Sequence, residues 1–81
     1  MNMTNEARKN AIIMLCRASR KAQRKTLVYV SNATNYHYST LSKFEHGNFK
    51  WDIAEAYYRT VLDKAEQQTY DNIKGDILNG R

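Results

Sequence analysis

The chain contains no proline, and its only three glycines lie at positions 47, 75 and 80. Proline and glycine are the residues that most often interrupt a helix, so long stretches of this sequence are free to be helical. Apolar residues recur in these stretches at steps of three and four, which is the period of an amphipathic helix. One β-branched run, Leu27–Val30, lies within that helical pattern. The sequence therefore predicts an all-α protein.

The apolar period and the capping residues predict five helices. Their expected bounds are residues 4 or 5 to 23, 27–33, 38 to 45 or 46, 53–62 and 64–78. Thr26 and Asp52 are expected to cap the second and fourth helices, because their side-chain oxygens accept unpaired backbone N–H groups. Asn35 tolerates the left-handed conformation that a tight turn needs, and Gly47 is expected to end the third helix. The expected buried stripe of the last helix is Ala65, Tyr70, Ile73 and Ile77.

The length fits one small domain over residues 1–81, with a core from residue 5 to residue 62 and a C-terminal helix at about 64–78. The single cysteine, Cys16, excludes an internal disulfide and fits a reducing compartment. No apolar run approaches the roughly 20 residues that span a bilayer. The first ten residues lack the apolar core of a signal peptide. We therefore expect a cytoplasmic protein without a membrane segment.

No residue pattern in the chain points to catalysis or to a cofactor. Cys16, His37 and His46 do not have the paired spacing of a metal site. No nucleophile, base and orienting group occur together, and no glycine-rich phosphate loop is present. We therefore expect no enzyme activity, no metal and no cofactor, and we expect Cys16 to be an inert core thiol.

Positive charge is concentrated in the first part of the chain. Residues 1–50 contain nine lysines and arginines against two acidic residues, a net charge of +7, whereas residues 51–81 carry a net charge of −2. A dense basic run precedes the second helix: Arg17, Arg20, Lys21, Arg24 and Lys25. Such a region on an otherwise acidic chain is typical of phosphate binding. A basic surface kept for solubility has the same composition.

Residues 26–47 satisfy the requirements of two short helices that cross closely. Ser31 is a small residue in the middle of the first helix, and Asn35 occupies the turn. The apolar side chains expected between the helices are those of Val30, Tyr36, Leu41 and Phe44. The expected outer face of the second helix of the pair is polar and consists of Tyr38, Ser39, Ser42, Lys43 and His46. If this helix docks in a major groove, these side chains meet the bases.

Three features carry a resemblance to a known family. They are Arg17-x-x-Arg20, Thr26, and the run Ser39–Gly47 (STLSKFEHG), which matches an ending of roughly S-T-I-S-[RK]-[IW]-E-x-G. On these residues the segment 17–62 resembles the Cro/phage-repressor (XRE) helix-turn-helix family. The resemblance implies a compact five-helix, lambda-repressor-like DNA-binding domain with the helix-turn-helix at helices two and three. Leu27 departs from it, since the family usually has a glutamine there that contacts a phosphate.

The resemblance and the charge pattern together predict the DNA contacts. Base contacts are expected from His37, Tyr38, Ser39, Ser42 and Lys43. Phosphate contacts are expected from Arg20, Lys21, Arg24, Lys25, Thr26, His46, Asn48 and Lys50. Glu45 lies near the end of a helix, where the helix dipole disfavours a carboxylate, so it needs a cationic partner. The family pattern offers Arg20, and we expect an Arg20–Glu45 ion pair that orders Arg20 for a phosphate.

These expectations favour a sequence-specific regulator of transcription that binds double-stranded DNA. The resemblance and the small size imply a repressor of phage, prophage or plasmid type that occludes a promoter. A homodimer on a palindromic operator is expected, because one recognition helix covers only a few base pairs, and the last helix could supply the dimer contact. One alternative is a protein-interaction module on the same scaffold, such as an antirepressor or an inhibitor of a repressor or nuclease, and a regulatory protein partner fits either case. Another is a non-specific nucleic-acid binder.

Overall fold

The computed structural model describes residues 3–80, and the secondary structure in that range is helical. The five helices are α1 (Asn5–Ala22), α2 (Leu27–Thr34), α3 (Tyr38–Glu45), α4 (Trp51–Thr60) and α5 (Lys64–Leu78). The prediction of an all-α protein with five helices is confirmed. None of these helices is both long and apolar enough to cross a membrane.

Local capping explains where α2 begins and where α2 and α3 end. The Thr26 hydroxyl oxygen accepts the backbone N–H of Tyr29 at 3.0 Å, as expected of the cap of α2. Asn35 has a left-handed φ of 65° and closes α2 through an N–H donated to the Ser31 carbonyl. Gly47 has a φ of 116°, which a residue with a side chain rarely adopts, and it follows directly on the last turn of α3. The turn residues were therefore predicted correctly.

The predicted start of α4 is wrong by two residues, and its cap is wrong as well. The helix begins at Trp51, and the N-cap residue is Lys50, whose side chain makes no capping hydrogen bond. Trp51 packs against the core and meets the Phe49 ring edge-on, with the ring centroids 4.8 Å apart. This packing places Trp51 in the first turn. Asp52 therefore lies in the first turn of the helix, where its negative charge still interacts favourably with the helix dipole.

One apolar cluster collects side chains from all five helices. Its buried members are Ile12, Ile13, Cys16, Val30, Leu41, Phe44, Ile53, Ala54, Tyr57, Val61, Leu62 and Tyr70. Tyr36, Ile73 and Ile77 are half-buried against it, as their positions in the expected apolar stripes imply. Ala65 was expected to be buried and is exposed, because α5 turns a different side of its first turn towards α1.

The carboxylate of Glu66 fixes that orientation of α5. Its Oε1 atom accepts the Ser19 hydroxyl of α1 at 2.7 Å and the backbone N–H of Asp63 at 2.9 Å. The Asp63 side chain in turn accepts the Glu66 N–H at 2.8 Å, which completes a capping box. The residue that completes the N-terminal cap of α5 therefore also attaches the helix to α1.

Candidate nucleic-acid interface

Arg20 joins three parts of the chain that the sequence associates with DNA. Its guanidinium donates to both carboxylate oxygens of Glu45 at the end of α3, from Nε at 2.7 Å and from Nη2 at 2.8 Å. Its Nη1 donates to the Lys25 carbonyl in the α1–α2 turn at 2.8 Å. The expected ion pair is therefore present. It links residues 21–25, called here the basic turn, to α3. The contact is planar and has two points of attachment, so it tolerates little rotation.

Glu45 is the buried half of this junction, with 3% of its side chain exposed. A third donor reaches it from α4, because the Tyr57 hydroxyl lies 2.5 Å from Oε2. Burial by itself raises the pKa of Glu45, but the hydrogen bonds from Arg20 and Tyr57 and the charge of Arg20 outweigh it and hold the pKa below its ordinary value. Glu45 is therefore a carboxylate at neutral pH. The Tyr57 hydroxyl is the part of this junction that the sequence predictions did not include.

The geometry divides the two arginines of the Arg17-x-x-Arg20 pair between different tasks. Arg20 has only 11% of its side chain exposed, and its donors are directed at protein oxygens. Arg17 has 45% exposed and approaches Glu45 only to 4.0 Å. Arg17, which the sequence predictions did not include among the contacts, is thus the guanidinium that solvent and ligands can reach beside α3. The expected phosphate contact of Arg20 stays a prediction, and its internal bonds favour a structural role.

The basic turn, which covers the end of α1 and its connection to α2, carries three further cations. Lys21 and Arg24 are exposed, and Arg24 adopts a left-handed φ of 57°. Lys25 is half-buried, and its ammonium lies 3.4 Å from the Thr60 carbonyl at the end of α4 and 5.2 Å from the centre of the Tyr29 ring. A cation at a helix C-terminus is favourable, so Lys25 already has a partner within the protein. Lys21 and Arg24 are the freer cations of this turn.

The side of α3 opposite Leu41 is polar and faces solvent. Leu41, Phe44 and Glu45 are the buried residues of this helix. The predicted base-contacting residues lie elsewhere on it or at its start: His37, Tyr38, Ser39 and Lys43 are exposed, and Ser42 is half-buried. One short helix therefore carries hydroxyl, phenol, imidazole and ammonium groups on the surface that the Arg20 junction holds beside the basic turn.

The two histidines flank α3 and are held in different ways. His37 is the N-cap, and its Nδ1 atom accepts the backbone N–H of Ser39 at 3.2 Å. His46 follows the last residue of α3, and its Nδ1 lies 2.7 Å from the Ser42 carbonyl oxygen. A carbonyl oxygen can only accept, so His46 must donate from Nδ1. Neutral His46 then has no N–H left to donate to a phosphate. Only the doubly protonated ring could donate to one.

The predicted contacts after α3 lie in the short connection to α4. Asn48 and Lys50 are both exposed. The Asn48 N–H donates to the Lys43 carbonyl at 3.0 Å, so the backbone of the connection folds back onto α3. This places the exposed side chain of Asn48 near the C-terminal end of the same helix. All the predicted phosphate contacts thus fall between the end of α1 and the start of α2, or between the end of α3 and the start of α4.

The start of α2 is the apolar part of this surface. Leu27 is half-buried against the core, while Val28 and Tyr29 are exposed. Tyr29 keeps a phenol next to the Lys25 ammonium and was not among the predicted site residues. Helical spacing does not reveal this contact, because Lys25 precedes the cap Thr26 and lies outside α2.

Other polar clusters of the described region are satisfied internally. An open groove between α4 and α5 is lined by Glu55, Tyr58, Arg59, Asp71 and Lys74. Within it, Lys74 pairs with Glu55 at 2.7 Å and the Tyr58 hydroxyl donates to Asp71 at 3.1 Å. Within residues 3–80, no group of three His, Cys, Asp or Glu side chains could hold a metal ion.

Comparisons with known proteins leave the candidate interface defined by its own geometry and charge. No family model, no curated protein and no solved structure matches the chain. The properties that distinguish this surface are therefore the ones described above. They are a polar exposed helix, a basic turn, and an arginine–glutamate junction between them.

Proposed function

We propose that the chain is a sequence-specific duplex DNA-binding regulator of transcription, in which α2 and α3 form a helix-turn-helix of the Cro/phage-repressor (XRE) kind in a lambda-repressor-like domain. The observation that carries this proposal is the Arg20 junction. It fixes the basic turn, which suits phosphates, relative to α3, which suits base edges. Recognition of duplex DNA needs both kinds of contact in a constant spatial relation.

The proposed contacts follow from exposure and hydrogen-bonding capacity. Lys43 is the strongest candidate for base readout, because an ammonium pairs with guanine O6 and N7 in the major groove. His37, Tyr38, Ser39 and Ser42 complete that set. Phosphates would meet Lys21, Arg24, Lys50 and Asn48, together with Arg17 in the place first assigned to Arg20. Lys25, Thr26 and His46 would contribute less, because each already makes a contact within the protein.

The proposed mechanism is promoter occlusion by a homodimer on a palindromic operator. A single α3 of eight residues covers only a few base pairs, and a two-fold dimer doubles the site. Within the described residues, α5 exposes one large apolar side chain, Leu78. A dimer contact through this helix would therefore be small, and dimerisation would depend on DNA.

Selection of bound duplexes from a random pool, at about 150 mM salt, tests the function directly. Enrichment of a palindrome supports an operator-binding repressor. Binding that falls steeply with salt but enriches no sequence supports a non-specific nucleic-acid binder instead. Failure to bind any duplex would refute the proposal.

Two lysine variants then separate base contacts from phosphate contacts. Lys43→Ala should lower affinity mainly through one base position, by a factor that corresponds to about 1–3 kcal/mol. Lys21→Ala should weaken binding to all duplexes alike and reduce the slope of log affinity against log salt by about one. Both lysines are exposed, so neither change should alter the fold. Identical, sequence-independent losses would contradict the role given to Lys43.

A second candidate function rests on the exposed apolar pair Val28 and Tyr29. These side chains lie at the start of α2, beside the position where Leu27 replaces a phosphate-contacting glutamine. Exposed apolar residues with a basic neighbour also suit a protein partner, as in an antirepressor or an inhibitor of a nuclease. If DNA is the target, Val28→Ser should leave the affinity for duplex DNA nearly unchanged. If the target is a protein that buries Val28 and Tyr29, the same change should abolish binding to that protein.

A further inference from the structure

The His37 side chain caps α3 with one of its two ring nitrogens. Nδ1 lies 3.2 Å from the Ser39 backbone nitrogen and 2.7 Å from the Ser39 hydroxyl oxygen. A backbone N–H can only donate, so Nδ1 must accept and cannot carry a proton. In the neutral imidazole the proton is then on Nε2, which makes Nε2 a hydrogen-bond donor.

The same contact determines whether the Ser39 hydroxyl can donate a hydrogen bond to a ligand or only accept one. Because Nδ1 is the acceptor, the hydrogen in the 2.7 Å contact belongs to the Ser39 hydroxyl. A serine hydroxyl has one hydrogen and two lone pairs. With its hydrogen directed at His37, Ser39 offers other groups only an acceptor oxygen. A serine hydroxyl can usually donate to a ligand or accept from one, and here Ser39 can only accept.

The ring of His37 is also held in place from its face. The Tyr38 ring lies with its centroid 4.6 Å away, and the two planes are inclined by 31°. His37 and Tyr38 are both exposed, so a ligand can reach the outer edge of the imidazole. His46 has the opposite tautomer, since its Nδ1 donates to the Ser42 carbonyl. Of the two histidines around α3, only His37 presents a donor when neutral.

We propose that His37 is a specificity-determining residue whose Nε2–H donates to N7 of a purine or O6 of a guanine in the major groove, with Ser39 accepting from the amino group of a nearby adenine or cytosine. The inference rests on the proposed DNA-binding function and assigns a direction to each hydrogen bond. Purine N7 and guanine O6 are acceptors, and adenine N6 and cytosine N4 are donors. The cap therefore determines which base edges the start of α3 accepts.

His37→Ser separates the base contact from the cap. Serine caps a helix well, so helicity and unfolding temperature should stay those of the unchanged protein, whereas the imidazole donor is lost. With the duplex selected by the unchanged protein, affinity should fall about 2- to 10-fold, as expected for one hydrogen bond. A repeated selection should lose the purine preference at one position and keep it elsewhere.

Modified bases identify the atom that His37 contacts. A 7-deaza purine at that position removes N7, and 2-aminopurine in place of guanine removes O6. One of the two should weaken binding of the unchanged protein by the same factor as His37→Ser, and it should leave the variant unaffected. Asn10→Ser, at an exposed position of α1 outside the proposed contacts, is the control, and it should keep the preference at every position.

The outcomes distinguish this inference from the function on which it rests. If the unchanged protein enriches a sequence and His37→Ser, folded as before, enriches the same one with the same affinity, His37 does not read a base and only this inference fails. Loss of the purine preference with the expected insensitivity to the modified base supports it. Absence of duplex binding by the unchanged protein overturns both.

Discussion

Replacing Glu45 by glutamine changes the junction by one charge and almost no volume. Glu45 accepts two hydrogen bonds from Arg20, at 2.7 and 2.8 Å, and one from the Tyr57 hydroxyl. In Glu45→Gln the amide nitrogen must face one of these donors, and the Arg20 cation loses its counter-charge while only 11% of its side chain is exposed. The expected result is a large loss of stability.

The size of that loss follows from burial. Removing one partner of a buried ion pair costs about 3–5 kcal/mol, because the other charge is left uncompensated. Arg20 keeps its bond to the Lys25 carbonyl and some contact with water, so we expect the lower end, about 3 kcal/mol. A domain of this length has a total stability of about 4–12 kcal/mol. The loss would thus be a quarter or more of the whole.

Glu55 provides a matched control within the same chain. It also pairs with a cation at 2.7 Å, Lys74, and also accepts a tyrosine hydroxyl, from Tyr70. The difference is exposure, which is 34% for the Glu55 side chain and 33% for Lys74. Exposed pairs contribute about 0–1 kcal/mol, so Glu55→Gln should cost at most about 1 kcal/mol.

Urea unfolding at pH 7, followed by far-UV circular dichroism and by the fluorescence of the single tryptophan, measures both variants. Coincident transitions would justify a two-state free energy. With a slope of about 1 kcal/mol per molar urea, the midpoint for Glu45→Gln should fall by about 3 M. Equal losses for Glu45→Gln and Glu55→Gln would refute the reasoning from burial. The double variant Arg20→Met/Glu45→Gln should lose less than Glu45→Gln alone, because it removes the stranded charge.

Three further outcomes are expected. The pKa of Glu45 is lowered in the fold, so the stability that its carboxylate contributes is complete above the ordinary carboxyl pKa of 4.5 and is lost as pH falls below that value. The free energy of unfolding, measured as a function of pH in acid, should show this step, and Glu45→Gln should lack it. Burial, with the charges of Glu45 and Glu66, raises the pKa of Cys16 to about 12; the thiol should resist iodoacetamide at pH 8 until urea unfolds the chain, and rapid labelling of the native protein would contradict this. Arg24→Gly should raise stability by about 0.5–1 kcal/mol in urea unfolding, because Arg24 has a φ of 57°; Asn35→Gly should gain less, since asparagine tolerates that conformation, and a larger gain at Asn35 would argue against backbone strain at Arg24.

Local sequence signals predicted the helices wherever a cap or a turn residue determines the boundary. Thr26, Asn35 and Gly47 act through their own backbone and side-chain chemistry, which depends little on the rest of the fold. The start of α4 was predicted wrongly because tertiary packing decides it: Trp51 packs on the core, and Asp52 is left inside the helix. Ala65 was misplaced for a similar reason, since the anchor of α5 is the distant contact between Ser19 and Glu66.

The candidate site shows the same division. Charge and periodicity predicted which residues surround α3, the position of Glu45 predicted that it needs a cation, and the family resemblance offered Arg20 as that cation. Sequence alone could not show that the Arg20 guanidinium donates its hydrogen bonds to groups within the protein while Arg17 stays accessible, because both arginines have the same chemistry. Nor could it assign the proton of either histidine, which depends on whether Nδ1 meets a backbone N–H or a carbonyl.

The shared oxygen of Glu66 has a consequence for how the chain opens. Because Oε1 accepts the Ser19 hydroxyl as well as the Asp63 N–H, separation of α5 from α1 breaks the Ser19 bond and leaves the capping box in place. Detachment of the helix would also remove Tyr70, Ile73 and Ile77 from the shared apolar cluster. Amide protons early in α5 should therefore exchange with solvent together with those of α1 in one cooperative unit, and the chain should have little tendency to populate a form with only α5 released.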